Sequence, residues 1–231
     1  MKTIYLISSY LAPIQYYTKL LMYDKICMEQ YDCYSKQTYR NRCTISVPNG
    51  TSVLSIPVVH SSNSKCLMKD VRISDHGNWQ HIHWNAIESA YGNTPFFEYY
   101  KDDFRPFYEN KYLFLIDFNE ELCQLICKLI DIAPIVERTV KYKTGLLPDE
   151  YDFREIIHPK KDLREDPEFI PYPYYQVFEN RQGFIPNLSI IDLLFNMGSE
   201  SLLVLLKSMP MPILLQEPQA SFYISPDRSK S

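Results

Sequence analysis

The chain reads as an α/β protein, a mixed sheet covered by helices in a single domain over 1–215, with a loose C-terminal tail at 216–231. Three observations predict it. The β-rich run Thr3 to Ser8 gives way to a proline-started helical pattern. Pro48-Asn49-Gly50 sits between two β-rich runs as a hairpin turn, because Asn and Gly tolerate the positive φ of a tight turn. From Asn78 the apolar period changes to that of a helix, with Trp79, Ile82, His83, Ala86, Ile87, Ala90 and Tyr91 on one face.

The elements follow in order. Thr3 to Ser8 is a strand, and the loop after such a strand is a common ligand position. A helix starting at Pro13 runs to about Tyr23, and Lys25 to Gln30 is a second strand. Tyr31 to Arg42 is polar, aromatic and basic with no clean period. The hairpin follows, then a polar loop and a short strand at Asp70 to Ser74. Three helices are predicted: one ending near Gly92, one over Phe96 to Tyr108, and one over Asn119 to Ile130 with Asn119 as N-cap. Pro134 to Tyr142 is another strand, and Tyr142 to Pro173 a long structured loop. Ser189 and Asp192 open SIIDLLFNM as a capping-box-like pair, Gly198 ends it, and Ser199 caps SESLLVLLKSM. Pro210, Pro212 and Pro218 forbid further helix. No repeat of solenoid period is present.

Composition narrows the function. With 231 residues, 45% hydrophobic and 23% charged, the chain has material for a core and is neither disordered nor fibrous. A net charge of -4 provides no general attraction for nucleic acid, so single-strand binding ranks last among the readings. Only six glycines are present and no Walker or Rossmann loop is found. No run is long enough for a membrane span, and the N-terminus lacks a cleavage signal, which points to a cytoplasmic protein. Six cysteines without a CxxC pair suggest free thiols, and no metal or other cofactor is expected. Cys123 and Cys127 read as buried small hydrophobes.

The basic segment Tyr34-Ser35-Lys36-Gln37-Thr38-Tyr39-Arg40-Asn41-Arg42 is the densest chemistry in the chain. Arginine forks grip phosphate in two places and tyrosine rings stack on bases or sugars. A solvated hairpin face is the plain alternative. His76, His81 and His83 do not form a zinc site, because residues two apart on a helix point to opposite sides and no HExxH is present. His83 falls on the apolar face and suits a general base if a pocket opens there, or else a satisfied core residue; His81 faces solvent. Asp117 and Asn119 arrive together at the end of KYLFLIDFN. Asp152, Arg154, His158 and Lys160 form a second charged node, and Cys33, beside the basic segment, is a candidate nucleophile.

Several segments together resemble the WbqC-like protein family: Tyr10-Leu11-Ala12-Pro13-Ile14-Gln15-Tyr16-Tyr17, Glu29-Gln30 through Tyr34, Lys36, Gln37 and Tyr39-Arg40-Asn41-Arg42, and Gly50 with Leu54-Ser55-Ile56-Pro57-Val58. His83-Trp84, Ala90-Tyr91, Pro95-Phe96-Phe97, Asp117 and Asn119 follow in order, and Tyr175 to Phe178, Gly183-Phe184 and Asn187 to Asn196 are similar to the longer members. The resemblance implies a part in glycolipid or O-antigen type polysaccharide synthesis. An acyl or aminoacyl transfer onto an amino group of a nucleotide-linked sugar, or another phosphorylated small molecule, fits that setting.

In the enzyme reading, Lys36, Arg40 and Arg42 neutralise the pyrophosphate and Tyr34 or Tyr39 stacks. His83 takes the proton from the attacking amine, with Asp117 or Asn119 orienting it. The resemblance adds Tyr10, Gln15, Gln37, Asn41 and Tyr91 to the substrate-binding set. The alternative is a non-catalytic binding or scaffold module of a polysaccharide-assembly complex, with tyrosines as its recognition surface and an oligomer possible. The enzyme reading requires the basic segment and the His83 imidazole to line one hollow.

Overall fold

The structure is a computed structural model that describes residues 1–59 and 66–210. Its elements are β1 (Thr3–Ile7), α1 (Ile14–Met22), β2 (Lys25–Glu29), β3 (Arg42–Val47), β4 (Gly50–Ser55), α2 (Trp79–Tyr91), α3 (Phe97–Glu109), α4 (Leu115–Leu129), β5 (Val136–Arg138), β6 (Glu150–Asp152), α5 (Glu179–Gln182), α6 (Ile190–Met197) and α7 (Ser201–Lys207). The α/β expectation holds, with parallel and antiparallel strands together under helices. Residues 216–231, read as a tail, lie outside the described residues, as do Pro212 and Pro218.

Four strands form a parallel sheet in the order β5-β2-β1-β6. Thr3 pairs with Lys25 on one side of β1 and with Glu150 on the other. Ile4, Leu6, Ile26 and Met28 are buried, the continuous apolar reading of a covered parallel strand. β3 and β4 pair antiparallel through Val47 and Gly50 as a separate two-stranded sheet. The hairpin therefore stands beside the parallel sheet and does not extend it.

α4 buries Leu115, Ile116, Phe118, Asn119, Leu122, Ile126 and Cys127, a stripe at three and four spacing. α6 is apolar nearly all round and is buried from Ile190 to Asn196. Gly198 ends it with φ 56°, and a Cβ there would lie 2.5 Å from the Phe96 ring, so the close approach and the left-handed backbone both call for glycine. No described helix is long and apolar enough to cross a membrane.

Several local expectations are corrected. The strand expected at Asp70 to Ser74 is replaced by a 3₁₀ turn over Met68–Asp70 and two isolated bridges, Arg72 to Phe114 and Ile73 to Val58. Different partners on the two sides prevent a ladder. The expected loop of 142–173 contributes β6, whose three residues carry too little apolar signal to announce a strand. α4 starts at Leu115, so Asn119 lies inside the helix and is not its N-cap. Ser189 makes no side-chain cap bond; its hydroxyl donates to the Leu11 carbonyl at 2.8 Å and ties α6 to the loop after β1. α7 begins at Ser201, after a 3₁₀ turn that includes Ser199.

Candidate functional site

Every strand of the parallel sheet delivers a polar group at its carboxyl end, where open α/β sheets place ligands. Ser8 and Ser9 follow β1, Glu29 closes β2, Thr139 follows β5, and Asp152 with Arg154 lies at the end of β6. Glu29 is fully buried and accepts from Arg154 Nη1 at 3.0 Å, Thr139 Oγ1 at 2.8 Å and the Tyr31 N–H at 2.8 Å. Arg154 also donates from Nε to Asp152 at 2.9 Å, which holds the Asp152 carboxyl below its ordinary value. This cluster is internally satisfied, and none of Glu29, Thr139, Asp152 and Arg154 lines the neighbouring cavity.

Beside Ser8 and Ser9, between the sheet and α4, lies a cavity of about 420 Å³. Ser8, Ser9, Met28 and Val136 come from the sheet side. α4 provides a single stripe, Asn119, Glu120, Cys123, Gln124, Cys127 and Lys128, because residues four apart stack on one helix face. Asn119 is 2% exposed and donates from Nδ2 to Ser8 Oγ at 3.1 Å and to the Arg40 carbonyl at 2.8 Å. A carbonyl only accepts, so that bond fixes the amide orientation and leaves Oδ1 as an acceptor without a protein partner.

The basic segment adjoins this wall through Arg40. Its guanidinium is buried and donates from Nε to Asp32 at 3.0 Å, with Nη2 on the same carboxylate and Glu155 at 3.7 Å. Burial pushes the Asp32 carboxyl up while Arg40 pulls it back. The Arg40–Glu155 contact also joins the two charged nodes seen in the sequence. Asp32 Oδ1, Asn41 Oδ1 and Arg42 Nε are further buried polar atoms without partners. With Asn119 Oδ1, most such atoms among the described residues gather around this one segment.

The other sequence candidates are distributed as follows. Tyr34 is half-buried; burial raises its hydroxyl and the Arg42 and Arg40 charges draw it back. Lys36 and Gln37 are exposed, Gln37 with φ 61°. Tyr39, whose hydroxyl burial pushes up to about 12, accepts the Tyr10 N–H on its carbonyl at 2.9 Å. Asn41 Nδ2 donates to the Ile56 carbonyl at 2.8 Å. Gln15 is buried against Asp166 at 2.9 Å and Asn187. Tyr91 donates to Asp192 at 3.0 Å and accepts the Ser46 N–H. Asp117 is half-buried and binds Arg138, which also holds Glu120 on the cavity wall.

His83 does not line the cavity. It is 3% exposed, 3.0 Å from the Tyr10 hydroxyl and edge-on to Trp79, and burial lowers its pKa to about 4. The single hollow expected for His83 and the basic segment is not formed, which removes His83 as the base of the enzyme reading; the two are joined only indirectly, Tyr10 touching His83 with its hydroxyl and Tyr39 with its backbone. A large ring on the aromatic face of α2 has packed into the core. His76 and His81 are exposed, and no group of three His, Cys, Asp or Glu suited to a metal occurs among the described residues.

As site residues the sequence reading missed Ser8, Ser9, Glu29 and Asp32, and it took Cys123 and Cys127 for buried small hydrophobes, which holds for Cys127 while Cys123 is half-buried. Their signal is position alone: carboxyl ends of strands, and a four-residue repeat on the helix facing them.

A family model described as WbqC-like protein family matches residues 8–150, which include Ser8, the Arg40 segment, Asn119 and the cysteine pair. The uncharacterized protein Rv1507c of Mycobacterium tuberculosis (strain ATCC 25618 / H37Rv) is 26% identical over 223 residues, covering 87% of this chain and 96% of that protein. No solved structure matches the chain significantly. With the family match running from the end of the first strand to the last strand of the parallel sheet, the chain belongs to the WbqC-like protein family.

Proposed function

We propose that the chain binds a nucleotide-linked amino sugar at the carboxyl end of its parallel sheet and forms an amide on the sugar's amino group by acyl or aminoacyl transfer, as a step in glycolipid or O-antigen type polysaccharide synthesis. The observation that carries the reading is Asn119, a buried amide in the cavity wall whose Oδ1 has no protein partner. Such an acceptor suits an N–H of an attacking amine, and leaving it unmet costs about 1–3 kcal/mol. The cavity, about 420 Å³, is within the range of small-molecule sites.

In this reading Arg42, with its unpartnered Nε beside Tyr34, receives phosphate, and Lys36 and Lys128 add charge at the margin. Arg40 shapes the wall, because its guanidinium already holds Asp32. Asp117 positions Arg138 and through it Glu120. His83 positions the Tyr10 loop and hence the backbone of the basic segment.

Thermal-shift measurement against nucleotide-linked amino sugars and their hydroxyl counterparts tests this. A ligand at one hundred times its Kd stabilises the folded state by about 2.7 kcal/mol. The amino sugar is expected to raise the melting temperature more than its hydroxyl counterpart, and Asn119→Ala to abolish the difference. No stabilisation by any nucleotide sugar, or equal stabilisation of Asn119→Ala, defeats the proposal.

A further inference from the structure

Two thiols stand in the α4 wall of the cavity, and nothing in the site so far uses them. Asn119, Cys123 and Cys127 lie at successive four-residue steps, so the unpartnered amide oxygen and the two sulfurs form one row along the helix facing the strand ends. Cys123 is half-buried and Cys127 buried, and both line the cavity. The neighbouring Cys127 thiol, and then the Tyr17 hydroxyl, draw the Cys123 pKa below the ordinary thiol value against the effect of burial. Cys127 is pushed the other way, chiefly by its bond to Cys123.

We infer that Cys123 is the nucleophile of the cavity and carries the acyl group as a thioester between an acyl-thioester donor and the amine held at Asn119. This rests on the function proposed above and assigns its donor class. In the first step the Cys123 sulfur attacks the donor's carbonyl carbon. A carbon–sulfur bond to Cys123 forms, the one to the carrier breaks, and the carrier leaves as a thiol with the proton Cys123 has given up. In the second step the amine attacks the same carbon, the amide bond forms, the bond to Cys123 breaks, and a proton lost by the nitrogen returns to sulfur. No electrons are gained or lost overall. Asn119 sits one helical turn from the sulfur, so an amine donating to its Oδ1 stands on the same wall as the acyl group it attacks. The thiolate is the reactive form, and the lowered Cys123 pKa favours it. Exposed Cys33 has neither the cavity nor such neighbours.

The test is acylation of the full chain by S-butyryl-N-acetylcysteamine, followed by intact-mass measurement and peptide mapping. One butyryl group on the peptide bearing Cys123, removed by neutral hydroxylamine, is the expected result. It should be lost in Cys123→Ser and retained in Cys127→Ala. Mapping on the wild-type chain locates the adduct without relying on either variant to fold. No adduct, or an adduct confined to Cys33 or Cys66, overturns the inference, and a nucleotide-sugar thermal shift measured on the same sample then shows whether the binding reading survives. An adduct on Cys123 without any such shift upholds the nucleophile and removes the sugar acceptor.

Discussion

The Tyr10 hydroxyl lies 3.0 Å from His83 Nδ1, with the two rings stacked at 5.6 Å between centroids and both side chains buried. Burial lowers the His83 pKa from 6.5 to about 4 in the folded chain. Between those values the unfolded chain binds the proton and the folded chain does not. The stability linked to His83 is thus whole above pH 6.5 and is lost as pH falls through 4, a change on the order of 3 kcal/mol. His83→Gln should flatten this acid loss relative to the wild type in urea denaturation at pH 7, 5.5 and 4. An unchanged pH profile would show that the imidazole titrates freely and is open to solvent.

Asp192 acts with the opposite sign. It is buried on α6 and accepts from Tyr174 at 2.6 Å and Tyr91 at 3.0 Å, yet burial raises its carboxyl from 3.8 to about 6. The stability linked to this raised pKa is full below pH 3.8 and is lost as pH rises through 6, again on the order of 3 kcal/mol. Asp192 therefore masks part of the acid loss due to His83 in the same pH window. Asp192→Asn should gain stability relative to the wild type as pH rises from 4 to 7 and show a steeper fall toward acid. Parallel curves for the two proteins would refute it.

The sequence made those parts legible whose signal is local. TIYLI, the Pro48-Asn49-Gly50 turn and the apolar face of Trp79 to Tyr91 each carry their own period. Asp192 shows the limit: three residues from Ser189 it reads as part of a cap, but its hydroxyl partner Tyr91 is 101 residues away, and tertiary burial decides its role. The cavity was illegible for the same reason, being built from residues at or beside β1, β2 and β5 and from one helix stripe. β6 was hidden because three residues with an acidic end carry no alternation.

Gly198 offers a test of packing remote from the cavity. Its φ of 56° disfavours any side chain, and a Cβ would fall 2.5 Å from Phe96, whose backbone N–H binds the Phe195 carbonyl. Gly198→Ala should destabilise by about 2–4 kcal/mol, strain and overpacking together, read as a lowered urea midpoint with an unchanged slope. A loss below about 0.5 kcal/mol, the scale of an ordinary surface change, would mean that the α6–α7 junction relaxes freely.

Arg40 is the residue at which loss of fold is most easily mistaken for loss of function. Its side chain is 2% exposed and holds Asp32, whose own side chain is 9% exposed. Truncating Arg40 strands a buried carboxylate, and breaking such a pair costs about 3–5 kcal/mol, whereas replacing both partners with apolar groups of similar volume is often neutral. The Asp32 carboxyl is already raised by burial and is restrained by Arg40, so Arg40→Ala should push it further up and leave a variant that regains stability toward acid. Arg40→Met with Asp32→Leu should recover most of the loss at pH 7 in chemical denaturation. If that double variant folds but no longer responds to nucleotide sugars, the Arg40–Asp32 charges matter to the ligand beyond shaping the wall; if it responds as the wild type does, the pair is structural and Arg42 is left as the segment's phosphate-facing cation.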